Sequence, residues 1–149
     1  MGMTGAQRQE AYRNRNPDRS RKQGRDWSFT PNGTVMVFLN YARDRARKNG
    51  IPFELDREWL SEKLIKGTCE LTGVKLERSL PTGRYKAHPF SPSIDKKDPS
   101  LGYTKENSRL VCFAINRAMS DWGEEILLEI VNNWIKHRST TWNHHHPLS

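Results

Sequence analysis

Two cysteines, Cys69 and Cys112, are too few for a disulfide scaffold. No apolar run is long enough to span a bilayer; residues 35–39 show how short such runs are here. No long stretch pairs a basic face with a broad apolar one, which argues against a membrane-surface helix. The first residues are polar and arginine-rich, without the apolar core of a signal peptide. These absences lead to the expectation of reduced thiols, no membrane partner and a cytoplasmic location. Acidic residues are also scarce. Asp+Glu 17 against Lys+Arg 25 gives a net charge of +8 and a pI near 9.8, which points to a polyanionic partner. A chain of 149 residues suits one compact domain with appendages and a small core.

The basic excess is concentrated at the start. Residues 1–28 carry Arg8, Arg13, Arg15, Arg19, Arg21, Lys22 and Arg25 against Glu10, Asp18 and Asp26, a net of +4 (7 − 3). With almost nothing to bury, this segment is expected to be a flexible arm. Its Arg13, Arg15, Arg19, Arg21, Lys22 and Arg25 would neutralise phosphates.

Residues 29–67 are expected to be helical support. Over 34–48, Val35, Phe38, Ala42 and Ala46 recur at spacings of three and four. Arg43, Arg45, Arg47 and Lys48 suit the negative end of the helix dipole, and Gly50 and Pro52 stop the helix. Those cations are equally a solvated face and a nucleic-acid contact. Asp56 is expected to cap a second helix running to residue 65, with Trp59, Leu60 and Leu64 on its apolar side. Residues 68–76 read as a knuckle reversing at Gly73, and 77–86 as a basic loop.

The rest is organised around residues 93–122. A strand-like piece carries Ser93, Asp95 and Lys97 on one face and Ile94 and Lys96 on the other. A turn over 98–107 leads to a second strand at 108–112, which runs directly into a helix bearing Asn116 in its first turn. Ala114, Ile115, Ala118, Met119 and Trp122 are expected to form the helix's buried side, with Asn116 and Ser120 on a neighbouring face. Asn116 by itself is either a local capping residue or a ligand. An oxygen pair from Asp95 and Asn116 would suit a hard divalent cation. Gly123 is expected to break the helix after Trp122. Residues 124–138 then resume, with Ile126, Leu127, Ile130, Val131, Trp134 and Ile135 on one broad apolar side that packs on the core or on a second subunit. His144-His145-His146 in the tail read as adventitious.

Residues 68–122 resemble the HNH, or ββα-metal, endonucleases, in particular the phage-encoded and rare-cutting restriction types. The resemblance rests on Ser93, Ile94, Asp95, Asp98, Gly102, Tyr103, Asn107, Arg109, Leu110, Val111, Cys112 and Asn116 at matching spacings. It implies an α+β fold: a small ββα-metal core at 68–122, flanked by N-terminal helices and by a C-terminal helix and tail at 123–149. It also implies metal-dependent hydrolysis of a DNA phosphodiester, leaving a 5′-phosphate. In that frame Asp95 and Asn116 hold one Mg²⁺ or Mn²⁺ ion, while Asn107 braces the loop and orients the base. Lys97, Arg109 and Arg117 join the arm in contacting DNA. A cutter of both strands with one site per chain acts as a symmetric pair, so a homodimer is an expected partner besides duplex DNA.

Two departures from the pattern matter. Lys96 stands where the family's general-base His is usual, and a lysine of ordinary pKa, about 10.4, is protonated at neutral pH. Lys96 is therefore expected to hold the scissile phosphate, with Tyr103 or His88 as proton acceptor. The second departure is at the zinc knuckle. Its second ligand positions hold Thr72 and Ile115, so no structural zinc is expected and the two cysteines read as small buried residues. An impaired HNH-fold protein that binds nucleic acid, or serves in packaging or inhibition, is the competing function.

Overall fold

The computed structural model describes residues 2–28, 30–77 and 88–145, with side chains to residue 138. Most of the loop expected at 77–86, and the last of the three tail histidines, lie outside the described residues.

Residues of the basic arm form two helices. α1 spans Gly5–Arg15 and α2 spans Pro17–Ser28. Local chemistry explains this. Thr4 and Gln7 form a reciprocal capping box at the start of α1, and Pro17 occupies the first position of α2, where its missing N–H costs nothing. Neither helix has a buried residue, in keeping with the arm's composition.

α3 covers Pro31–Asn49, beginning three residues earlier than the apolar spacing indicates, because Thr30 caps it and Pro31 stands in its first turn. Gly33 lets the chain pass close to itself there: a Cβ at this position would sit 1.9 Å from the Trp27 carbonyl oxygen. α4, Arg57–Lys66, is capped by the Asp56 carboxylate, which accepts from Trp59 N–H at 2.8 Å.

Among the described residues there is one sheet, of two antiparallel strands: β1, Pro92–Lys96, and β2, Ser108–Cys112. The register sets Ile94 opposite Leu110 and Asp95 opposite Arg109. Alternation then divides the work of the two faces. Ile94 and Leu110 join Val35, Leu39, Ala42, Leu55, Leu60 and Tyr103 in the main core. On the other side Val111 packs with Cys69 and Cys112, where the knuckle closes. Glu70 clamps the knuckle to β2, accepting from Leu110 N–H at 2.7 Å while its other partner is Lys63 at 2.8 Å.

α5, Phe113–Met119, follows β2 without a loop. It is shorter than expected. Ser120, at φ 45°, ends it, so the break precedes Trp122 rather than following it. Projecting the helical period to residue 122 therefore fails: Ala114, Ala118 and Trp122 are exposed, and α5 buries Met119 and half-buries Ile115 and Asn116. Gly123 does not interrupt a helix but heads α6, Gly123–His145. The architecture is α+β, a ββα unit with helices before and after it.

Candidate metal and nucleic-acid site

Ser93, Asp95 and Arg109 share the sheet face that α5 covers, because alternate residues of one strand and directly opposed residues of two strands project together. Asp95 is 9 % exposed. Its Oδ2 accepts from Arg109 Nε at 2.7 Å, an opposite-charge cross-strand pair. The same guanidinium donates from Nη1 to Glu124 Oε2 at 2.7 Å, and its Nη2 lies 3.7 Å from Met119 Sδ. Burial works against the Arg109 charge, but the hydrogen bonds to Asp95 and then Glu124 outweigh it and hold the guanidinium above its ordinary range. The arginine side chain is 11 % exposed. Expected to touch DNA, it is instead an internal strut between the strand acid and the first turn of α6.

Asn116 lies one turn into α5 and leans on β1. Its Nδ2 donates to Ser93 Oγ at 2.7 Å and to the Ile94 carbonyl at 3.4 Å. These bonds orient the amide, and among the described residues Oδ1 accepts no hydrogen bond. Asn116 thus stands on the Asp95 face, beside the strand positions just before Asp95. Its amide ties α5 to β1 and does not cap the helix, whose N-cap position is Cys112.

Asn107 braces the turn between the strands. Its Oδ1 accepts from Asp98 N–H at 3.0 Å, and its Nδ2 donates to the carbonyls of Asp98 and Gly102 at 3.0 and 2.9 Å. Gly102 is needed where this turn crosses the Pro52 backbone, since a Cβ would come within 2.5 Å of the Pro52 carbonyl oxygen. Asp98 is held below the usual carboxylate range, chiefly by the Ser100 hydroxyl and then by Ser100 N–H.

The other expected residues stand apart from this face. Lys96 follows Asp95, so strand alternation sends it the other way; its Nζ donates to the Pro99 carbonyl at 2.6 Å and lies 5.4 Å from the centre of the Tyr103 ring. Tyr103 is core rather than a solvent-facing base. It is buried, packs against Phe53 and also carries Arg45 over its ring at 5.7 Å. His88 is a loop histidine with both nitrogens engaged: Nδ1 accepts from Phe90 N–H at 3.3 Å, and Nε2 lies 3.7 Å from Glu77. Lys97 Nζ donates to the Glu106 carbonyl at 2.7 Å. Arg13, Arg15, Arg19, Arg21, Lys22, Arg25 and Arg117 are exposed.

In the knuckle, burial pushes the Cys69 thiol up. Hydrogen bonds from the Thr72 side chain and from the backbone N–H groups of Cys112, Thr72 and Leu71 more than offset this, so it titrates below its ordinary value.

No protein-family model matches the chain, and no curated protein does. Among solved structures, the rare-cutting HNH restriction endonuclease PacI is similar to it at a TM-score of 0.50 and 21 % identity, over 70 % of this chain and 78 % of that one. The chain has an HNH-like fold. Sequence reasoning singled out Asp95 and Asn116, which share this sheet face, and Asn107, which braces the turn, but not Glu124 and Met119, which contact Arg109. Glu124 carried no distinguishing signal, because an acid in the first turn of a helix suits the dipole whatever else it does.

The HNH-like face offers two oxygen donors of the hard kind, Asp95 Oδ1 and Asn116 Oδ1. Among the described residues no cluster of three or more His, Cys, Asp or Glu side chains can hold a metal. A carboxylate and a carboxamide oxygen are donors of the kind that Mg²⁺ or Mn²⁺, which dehydrate reluctantly and keep several waters, would accept. Among the described residues, no helix is long and apolar enough to cross a membrane.

Proposed function

We propose that the chain is a divalent-cation-dependent DNA endonuclease. The observation that carries this reading is the sharing of one sheet face by a buried carboxylate, Asp95, and an oriented carboxamide, Asn116, inside an HNH-like ββα unit. Asp95 and Asn116 would hold Mg²⁺ or Mn²⁺. When bound, that ion supplies positive charge for the phosphate and for the leaving 3′ oxygen. Asp95 contributes the negative charge and one fixed oxygen. Arg109 keeps that carboxylate in a single orientation, and Glu124 keeps Arg109 in place. Asn107 fixes the turn that follows β1. The exposed cations of α1 and α2, with Lys97 and Arg117, supply salt-dependent affinity for the phosphate backbone.

A plasmid-relaxation assay tests this. Supercoiled DNA should be nicked or linearised with Mg²⁺ or Mn²⁺ and remain intact with EDTA. A second reading is favoured by two observations: Arg109 already neutralises Asp95, and Lys96 points away from it. It is a protein that binds nucleic acid without cutting it. Salt-sensitive retention of duplex with no cleavage under either ion selects that reading and rejects the nuclease.

We propose too that the knuckle holds without zinc, through the Cys69 hydrogen bonds and the packing of Val111 and Cys112. The midpoint of thermal unfolding should then be the same with and without EDTA. A structural zinc would make it fall sharply, because metal binding would be part of the folding free energy.

A further inference from the structure

The end of α3 and the end of β1 meet on the side of the sheet away from Asp95. On α3, Val35, Leu39, Ala42 and Ala46 face the core. At about 100° per residue, the exposed Tyr41, Arg45 and Lys48, at i, i+4 and i+7, fall together on one flank of that buried stripe. Arg43 and Arg47 fall on the other flank, where Arg43 donates to Asn40 and Arg47 pairs with Asp44. The four cations near the end of α3 are therefore two pairs with different surroundings.

Lys96 joins the Tyr41 flank from β1. Its Nζ lies 5.4 Å, and the Arg45 guanidinium carbon 5.7 Å, from the centre of one ring, that of Tyr103. Contact with a ring leaves the positive charge in place. Among the described residues none of Arg45, Lys48 and Lys96 forms an ion pair. The acid beside Lys96 is Asp98, and its carboxylate is engaged by Ser100. Two like charges drawn to one ring repel until an anion joins them. The helix dipole accounts for cations near the end of α3. It does not account for Lys96, which comes from another element, or for Tyr41, which stands 65 % exposed beside them.

We propose that this flank binds an unpaired nucleic-acid strand, with a base stacked on Tyr41 and phosphates on Arg45, Lys48 and Lys96. The exposed ring selects the class of partner. An acidic peptide or a free phosphate would use the cations and leave the tyrosine in water, and a duplex keeps its base faces stacked inside. A single strand offers a π-face and a phosphate at every nucleotide. From Tyr41 to Lys48 the stripe runs about 10 Å along the helix, longer than the ~3.4 Å per phosphate of a stacked strand. The flank lies across the sheet from Asp95, so the inference rests on no reading of the reaction.

The test is binding by the full chain in EDTA, which needs no divalent ion and separates this inference from the nuclease proposal. The probes are a short thymidine homopolymer, a uridine homopolymer of the same length and a duplex of that length; comparison of the first two assigns the site to DNA or RNA. Tyr41→Ala should weaken binding of the preferred single strand by about 5- to 150-fold and leave duplex affinity unchanged. Tyr41→Phe should bind as the wild type does, because the ring and not the hydroxyl makes the stack. Arg45→Ala and Lys96→Ala should each reduce the slope of log K against log salt by about 0.7. Trp122→Ala, at another exposed aromatic, should leave single-strand affinity unchanged. A strand carrying iodouracil should crosslink to Tyr41 of the wild-type chain on irradiation, a readout that depends on no variant. No binding of either single strand, an unchanged affinity in Tyr41→Ala, an equal loss for single strand and duplex, or crosslinks confined to other aromatic residues would each overturn the inference.

Discussion

Asp95→Asn should lower the rate of Mg²⁺-dependent cleavage by about 10³-fold or more, with duplex affinity nearly unchanged. The substitution keeps the size of the side chain and one oxygen for Arg109 Nε, so the cross-strand contact at 2.7 Å survives. It removes the negative charge that holds a divalent ion. Because the exposed cations lie on α1, α2 and the turn rather than at Asp95, affinity should fall little. The check is single-turnover cleavage of a labelled duplex beside a binding titration at the same salt. An Asp95→Asn protein that cuts at the wild-type rate would remove Asp95 from the chemistry. Loss of binding together with cleavage would mean that the carboxylate is needed for structure instead.

The largest effect on stability is expected at Leu110. It has no solvent exposure, sits opposite Ile94 in the register, and joins the sheet to the residues of α3 and α4 in the main core. Leu110→Ala removes three buried carbons and leaves a cavity that a two-stranded sheet locked between helices can relax only in part. The expected cost is about 2–5 kcal/mol, a large share of the ~5–15 kcal/mol that a domain of this kind has in total. Urea denaturation measures it. Ile65→Ala, on the exposed side of α4, is the matched control and should change stability by no more than about 0.5 kcal/mol. Equal effects at the two positions would show that the sheet is not the centre of the fold.

Much of the ββα unit was legible in the sequence. Alternation around Ile94 and Asp95, the turn with Gly102 and Asn107, and the direct passage of Cys112 into a helix each leave a local pattern, and local patterns are what a sequence displays. Asp56 was readable as a cap for the same reason, since the bond it makes reaches only three residues. The helical arm was less legible. Its capping box and Pro17 were present in the sequence, but a segment without an apolar stripe gives no periodic signal. The end of α5 is set by a positive φ at Ser120, a residue type that rarely adopts one, so the helical period ran on past the true stop. Partners distant in sequence were the hardest to read. Nothing near Arg109 shows that its guanidinium turns inward to Asp95 and Glu124 instead of outward to a phosphate. Tyr103 was hard to place for a related reason: the bridge between Phe53 and Tyr103, which draws the ring into the core, joins residues fifty positions apart.

The account depends on one ion being shared by Asp95 and Asn116. Crystals of the full chain with a short duplex and Mn²⁺ test this directly, because manganese is located by its anomalous scattering. The account expects one peak within coordination distance of an Asp95 carboxylate oxygen and the Asn116 carboxamide oxygen, in contact with a backbone phosphate. A peak elsewhere, or no bound manganese at saturating concentration with duplex present, would contradict it.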